Sequence, residues 1–340
     1  MWRIRTASAT PRSAFGWAHL LDRPDAPDEL RDEVRVIELE IETAEAGLRL
    51  DVVLVRRVPG MSRAKAREMV EAGVIRVNGR SPRKGLRLTP GDRVILSRAP
   101  APSDFPATPD PRMPLAIVHE DPWIVVVDKP AGVPSHPLRV HEIGTVASAL
   151  VARFPEMSGV GYRLREPGIL HRLDTDTSGL MVAARDEITF EALRIALRAG
   201  RIDKRYVALV DGHIEATCTI DLPIAPHPRD PRRVVTIEGT KGARPARTEL
   251  TRVESIGAYT RIEVAAAHAT RHQIRAHLAA IGHPLVGDAL YGGSSLPTLP
   301  RHFLHASSIE LEHPDSGGAL RFRSPLPAEL EATLDQARGA

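Results

Sequence analysis

Polar and apolar positions first fall into a regular period at residues 37–42, where Ile37, Leu39 and Ile41 alternate with Glu38, Glu40 and Glu42. A period of two marks a strand with one face buried. Upstream, residues 1–34 carry Ser, Thr, Pro and Asp without helix or strand period, and an unstructured extension is expected there. Downstream, Ser62 can cap a helix over Arg63–Ala72 that Gly73 ends. Ala66, Met69 and Val70 form its apolar face, while Arg63 and Arg67, four residues apart, share another. Val74–Val77 reads as a short strand, Asn78-Gly79 as a tight turn, Pro90-Gly91-Asp92 as a second turn and Val94–Leu96 as a further strand. Residues 35–98 are therefore expected to fold as a small α+β module.

Residues 99–113 are rich in Pro with Ser, Asp and Thr, the composition of an extended linker. A second domain is expected over 114–335. Trp123–Val127 is a continuous apolar run suited to a buried strand, and Asp128-Lys129-Pro130-Ala131-Gly132 ends it in a turn. Further strands are expected at Leu180–Ala184, Lys204–Val210, Arg261–Ala265 and Phe303–Leu311, with helices at Glu187–Ala199 and His272–Ala280. Strands outnumber helices without strict alternation, which favours an α+β domain on a large mixed or antiparallel sheet over a doubly wound one.

Composition narrows what such a two-domain chain does. Of 340 residues, 42% are hydrophobic and 26% charged, as in ordinary globular proteins. Aromatics are only 4%, which argues against recognition by many stacked rings. The single cysteine, Cys218, offers neither an internal disulfide nor a cysteine cluster for zinc, so a reducing, cytoplasmic setting is expected. No apolar run reaches membrane-span length, and no membrane association is expected. Net charge is just +3, yet residues 47–98 hold thirteen Arg and Lys against four Asp and Glu. That local excess suits a phosphate-binding surface.

Chemistry concentrates in Gly168–Asp186, GILHRLDTDTSGLMVAARD, where a polar cluster separates the apolar pair Ile169-Leu170 from the strand-like LMVAA. Asp174 and Asp176 are the candidate acids, with His171 and Arg172 beside them. Spacing alone favours the plainer reading, an Asx turn with a surface ion pair. Two other chemistries fit the residues less well. His268 and His272 have the i, i+4 spacing of two zinc ligands, but position 269 is not Glu and no third ligand is evident, so no metal is expected. A glycosidase pair at Asp174 and Asp176 lacks the aromatics that bind sugars.

Longer motifs change these odds. The runs LRLDVVLVRR, MSRAKAREMVEAGVIRVNGR and LTPGDRVIL resemble the S4 RNA-binding domain. That resemblance implies that Ser62–Arg67 and Val77–Arg80 lie against structured RNA, with Arg63, Lys65, Arg67, Arg76, Asn78 and Arg80 as contacts. HRLDTDTSGL is similar to the catalytic loop of the RluA-type pseudouridine synthases, and VVDKPAGVPSHP, DKRYVALVDG, HQIRAHLAAIGHPLVGDALYG and FLHA follow that family's pattern and order. The resemblance implies isomerisation of uridine to pseudouridine in RNA, without a metal or organic cofactor. It makes Asp174 the essential carboxylate and Arg275 its ion-pair partner. Arg172 would hold the RNA backbone or the place of the displaced base, and Tyr206 would pack on the uracil and assist removal of its C5 proton. Large-subunit ribosomal RNA is the expected target, with tRNA second, and a monomer is expected.

One departure stands out. Where the family commonly reads GRTHQIR, residues 269–275 read ATRHQIR, so Thr270 takes the usual Arg position and Arg271 follows. In an extended stretch a shift by one residue turns a side chain to the other face. Arg271 therefore does not inherit the usual role, and a catalytically idle RNA-binding or ribosome-assembly protein is the competing reading.

Overall fold

Glu38 and Glu40 face water while Leu39 is buried, because strand β1 (Ile37–Glu40) lies at the edge of a small three-stranded sheet. The computed structural model describes residues 36–100, 104–237, 239–240, 242–266 and 269–339, so the expectation for residues 1–34 lies outside the described residues. Helices α1 (Leu50–Arg57) and α2 (Arg63–Glu71) are followed by β2 (Ile75–Val77) and β3 (Arg93–Leu96), and β3 pairs antiparallel with both β1 and β2. Val53, Leu54, Met69, Ile75, Val94 and Leu96 close one core. Ser62 Oγ accepts the Lys65 amide at 3.2 Å, satisfying one of the free donors at the start of α2. Asn78 (φ 50°) and Gly79 (φ 77°) sit between reciprocal backbone bonds of Val77 and Arg80, a two-residue turn that requires positive φ at both positions.

The contacts divide the chain between Ser103 and Asp104. In the second unit the elements run β4 (Ala116–Glu120), β5 (Ile124–Lys129), α3 (Val146–Arg153), β6 (Ser178–Ala184), α4 (Glu187–Arg198), β7 (Asp203–Asp211), β8 (Thr219–Asp221), β9 (Ala225–Pro226) and β10 (Val234–Val235). They continue with β11 (Arg247–Ile256), β12 (Tyr259–Ala265), α5 (Gln273–Ala280), β13 (Leu304–Glu312), β14 (Ala319–Arg323) and α6 (Ala328–Gly339). Eight strands form the path β4-β5-β6-β13-β7-β12-β11-β8, and β14 pairs with β13. Only β6 and β13 run parallel among the described pairs, so the sheet is mixed and the fold α+β.

The linker expectation for 99–113 needs correction in its second half. Phe105, Ala107 and Asp110 are buried, Ala107 N donates to Leu164 O and Asp110 N to Ser148 O. Prolines hold this stretch extended, and the apolar pair two residues apart packs like a strand even though the surrounding composition is that of a linker.

Both faces of the large sheet are covered, which is why β5 and β6 read as unbroken apolar runs. Val125, Val127, Met181 and Ala183 join a core with α3 and α5, whereas Ile124, Val126, Leu180 and Val182 join one with α4. Along β7 the same parity puts Tyr206 and Ala208 on the α5 face and Val207 and Leu209 against α6. The central contact between β6 and β13 is close: a Cβ on Gly179 (φ 114°) would lie 2.3 Å from Ala306 O. Only glycine fits there, just after the polar loop.

Candidate active site

The loop His171–Thr177 enters β6, and its backbone is held at each carbonyl from Leu173 to Asp176. Ser135 Oγ donates to Leu173 O at 2.8 Å and accepts from Leu173 N at 3.1 Å. Asp174 O accepts from Thr177 N at 3.0 Å, and Thr175 O accepts from Gly132 N at 2.9 Å. Arg301 Nη1 donates to Asp176 O at 3.0 Å. A carboxylate carried on so constrained a backbone is positioned before any ligand arrives.

Lys129 completes this scaffold. Wholly buried at the end of β5, it donates from Nζ to Pro130 O, Val133 O and Thr175 O at 2.8–2.9 Å. Three acceptors match the three hydrogens of an ammonium, whereas a neutral amine has two. Burial lowers its pKa to about 7 even though Asp174 and Asp176 favour the charged form.

Asp174 Oδ2 accepts from Arg275 Nη1 at 3.1 Å, so α5 delivers the cation to the loop. The same guanidinium makes a two-pronged pair with Asp288, Nε to Oδ2 at 2.7 Å and Nη2 to Oδ1 at 2.9 Å. Burial disfavours the charge of Arg275, but its hydrogen bonds to Asp288 and the two carboxylates outweigh this and raise its pKa above the ordinary range. Tyr291 lies over the guanidinium at 5.1 Å and its hydroxyl accepts from Val234 N at 2.9 Å. His272, the residue before α5, sits at φ 54° with Nε2 3.8 Å from Asp174 Oδ2. Burial lowers its pKa to about 4, so it is neutral at physiological pH.

Asp174, Arg172, Tyr206 and Arg275 line one niche, so the four residues expected at the site are brought together. Its volume is about 30 Å³, room for one water and not for a pyrimidine ring. Asp174 and Arg172 also line an open cleft of about 820 Å³. Arg172 is exposed and Arg172 Nη1 reaches His136 Nε2 at 3.3 Å. Tyr206 is buried; burial and the charge of Asp174 raise the pKa of its phenol, and its hydroxyl has no hydrogen-bond partner among the described residues. The Asp176 side chain is exposed. His268 lies outside the described residues, among which no cluster of potential metal ligands occurs.

Arg271 is turned away from the niche. Its guanidinium donates to Pro231 O at 3.0 Å and Arg232 O at 2.6 Å, holding the turn before β10. Thr270 N donates to Gln273 Oε1 at 3.0 Å and helps start α5. The departure in ATRHQIR thus leaves the Asp174–Arg275 pair intact.

In the first unit, Arg63, Arg67, Arg76 and Arg80 are exposed. A groove of about 600 Å³ has Leu50, Leu54 and Leu86 among its walls and Arg63, Arg67 and Arg83 at its rim. Asn78 is exposed as well; its amide donates to Asp92 Oδ1 and its oxygen accepts from Arg93 N, tying the turn to β3. Lys129, Ser135, Asp288 and Arg301 were not singled out by sequence reasoning. Asp288 lies within the GDALYG run, and a lysine closing an apolar strand is a second signal.

A basic S4-like unit and a sheet domain whose cleft ends on a carboxylate define an RNA-modifying class of enzyme. The S4 domain family matches residues 48–94 and the family described as RNA pseudouridylate synthase matches residues 123–280. An uncharacterized RNA pseudouridine synthase of Chloroflexus aurantiacus is 41% identical over 90% of this chain and 95% of its own length. A ribosomal large subunit pseudouridine synthase D of Nitrosomonas europaea is 34% identical over 91% and 90%. The solved structure of human RNA pseudouridylate synthase domain containing 1 is 26% identical, with a TM-score of 0.50 over 67% of this chain and 96% of that one. The chain belongs to the RNA pseudouridine synthase family, and it is an RNA pseudouridine synthase, an isomerase.

Proposed function

We propose that this enzyme isomerises a uridine of large-subunit ribosomal RNA through Asp174, acting as a cytoplasmic monomer. The observation that carries the site assignment is the clamped Asp174 carboxylate with Arg275 at 3.1 Å. The reaction breaks the bond from ribose C1′ to uracil N1 and makes one from C1′ to C5; N1 gains a proton and C5 loses one. A fixed carboxylate serves as nucleophile or as electrostatic partner of the electron-poor intermediate. The ribosomal target rests on the likeness to the large-subunit synthase of Nitrosomonas europaea, and the cytoplasmic setting on a lone, exposed Cys218. No helix among the described residues is long and apolar enough to cross a membrane. Comparing pseudouridine maps of ribosomal RNA from wild-type and deletion cells tests the target: loss of a single large-subunit position is expected, and loss confined to tRNA overturns it.

A niche of 30 Å³ requires opening before uracil enters, and the base must first leave its stack at a cost of a few kcal/mol. Exposed Arg172 borders both niche and cleft, so its displacement opens one to the other and leaves a cation for the RNA backbone. Tyr206 then contacts the base through its ring. Its raised pKa keeps the phenol protonated at rest, which favours stacking over proton removal. Tyr206→Phe is expected to bind 5-fluorouridine RNA like wild type and to turn over within about threefold, while Tyr206→Leu loses about 1–3 kcal/mol of binding. Normal binding by the Leu variant returns Tyr206 to a packing role.

The S4-like unit supplies salt-sensitive affinity. Arg63→Glu with Arg80→Glu should lower the slope of log affinity against log salt by about 1.4–1.8, from roughly 0.7–0.9 per phosphate contact. An unchanged slope in filter binding removes these two residues from the RNA surface.

A further inference from the structure

Arg172 also borders a second cavity, of about 220 Å³, that the reaction outlined above does not use. Lys204 lines it from β7, on the same strand face as Tyr206 two residues on. Lys204 is 2% exposed, and among the described residues its ammonium has neither a hydrogen-bond partner nor a carboxylate. His136 and His171 line the cavity as well, and the buried Nδ1 of each lacks a partner. The two histidine nitrogens are costly where they stand, because each has lost water and gained nothing, and the Lys204 ammonium on the same cavity has no counter-ion.

The charge around them is mostly positive. Arg163, Arg165 and Arg172 all act on His136, and with burial they lower its pKa to about 4. Burial lowers that of Lys204 only to about 8, so the ammonium form dominates at neutral pH. Glu166, 3.4 Å from His136 Nε2, is the one carboxylate lining the cavity. A bound anion would give Lys204 its missing counter-ion and the Nδ1 of each histidine a hydrogen-bond partner.

We propose that this cavity binds a phosphodiester of the substrate RNA beside the target uridine, with Lys204 as its buried counter-ion. Arg172, shared by this cavity and the Asp174 niche, couples seating of that phosphate to opening of the niche. The proposal rests on RNA being the substrate. Free phosphate has the same chemistry, and the test separates the two sources.

Lys204→Met keeps the side-chain length and removes the buried charge; Lys204→Gln is the second variant, with a neutral polar end. Relief of an unpaired buried cation should raise the melting temperature of the Met variant by about 2–4 °C. In full-length protein with isotope-labelled histidine, inorganic phosphate should shift the ring resonances of His136 and His171, and both variants should abolish that response. Both should also bind RNA about tenfold more weakly at low salt, with the log-log salt slope smaller by about 0.7–0.9. Silent histidines together with unchanged RNA affinity overturn the proposal. A phosphate response that depends on Lys204 while the RNA slope stays at the wild-type value also overturns it, because the site then takes free phosphate only. Neither readout requires isomerisation, so an enzyme that makes no pseudouridine would refute the proposed function and leave this test intact.

Discussion

Asp174→Asn is expected to lower pseudouridine formation by at least about 10⁴-fold while leaving the fold and RNA affinity near wild type. The amide keeps the volume of the carboxylate, and its oxygen still accepts from Arg275 Nη1, the bond now spanning 3.1 Å. Arg275 retains a full negative partner in Asp288, so the substitution strands no buried cation. What disappears is the charge and the nucleophilic lone pair that the reacting sugar or base requires. Asp176→Asn is the control, because Asp176 serves the loop through its backbone carbonyl and its exposed side chain makes no hydrogen bond among the described residues. That variant should stay within about twofold of wild type. Tritium release from C5-labelled uridine in RNA measures both, and equal losses would show that the wrong carboxylate has been chosen.

Periodicity made much of the scaffold legible. The alternation Ile37–Ile41 gave β1, the Ser62 cap gave α2, and the apolar runs after Trp123 and Leu180 gave β5 and β6. These are local signals, and tertiary packing did not contradict them. Helix α6 was missed although Leu330, Leu334 and Ala337 have helical spacing, and α3 was missed because Val146–Val151 is buried almost all round and so shows no polar face to set a period. At the site, Asp174, Arg275, Tyr206 and Arg172 came from family motifs, since spacing alone favoured a surface turn. The supports of the loop were hidden for a different reason. Ser135 and Arg301 lie 38 and 125 residues from their bonding partners Leu173 and Asp176, and no pattern along the chain encodes contacts that the sheet creates. Asn78 illustrates the converse: an Asn-Gly pair gave the turn, but which groups its amide would satisfy depended on Asp92 and Arg93 across the hairpin.

The catalytic carboxylate depends on a second one that does no chemistry. Asp288 is almost wholly buried and takes two hydrogen bonds from Arg275, which in turn takes one side of its charge to Asp174. Removing one member of such a buried pair costs about 3–5 kcal/mol, because the remaining ion stays desolvated without its partner. Asp288→Ala should therefore lower the melting temperature of the catalytic unit by on the order of 10 °C, at about 2–4 °C per kcal/mol for its size. Arg275 would then hold only Asp174, at one hydrogen bond, and lose the fork that fixes its direction. The predicted kinetic consequence is a fall in kcat of roughly 10–100-fold with little change in KM, since misplacement of a reacting group costs about that much while the RNA contacts remain. Asp288→Asn retains one acceptor for Arg275 and should fall between Ala and wild type in both melting temperature and kcat. Asp174→Asn, by contrast, loses turnover without the large thermal effect, so the two substitutions separate positioning from chemistry. Should Asp288→Ala melt within 2 °C of wild type, Arg275 does not rely on Asp288, and the three-member chain is only a geometric coincidence.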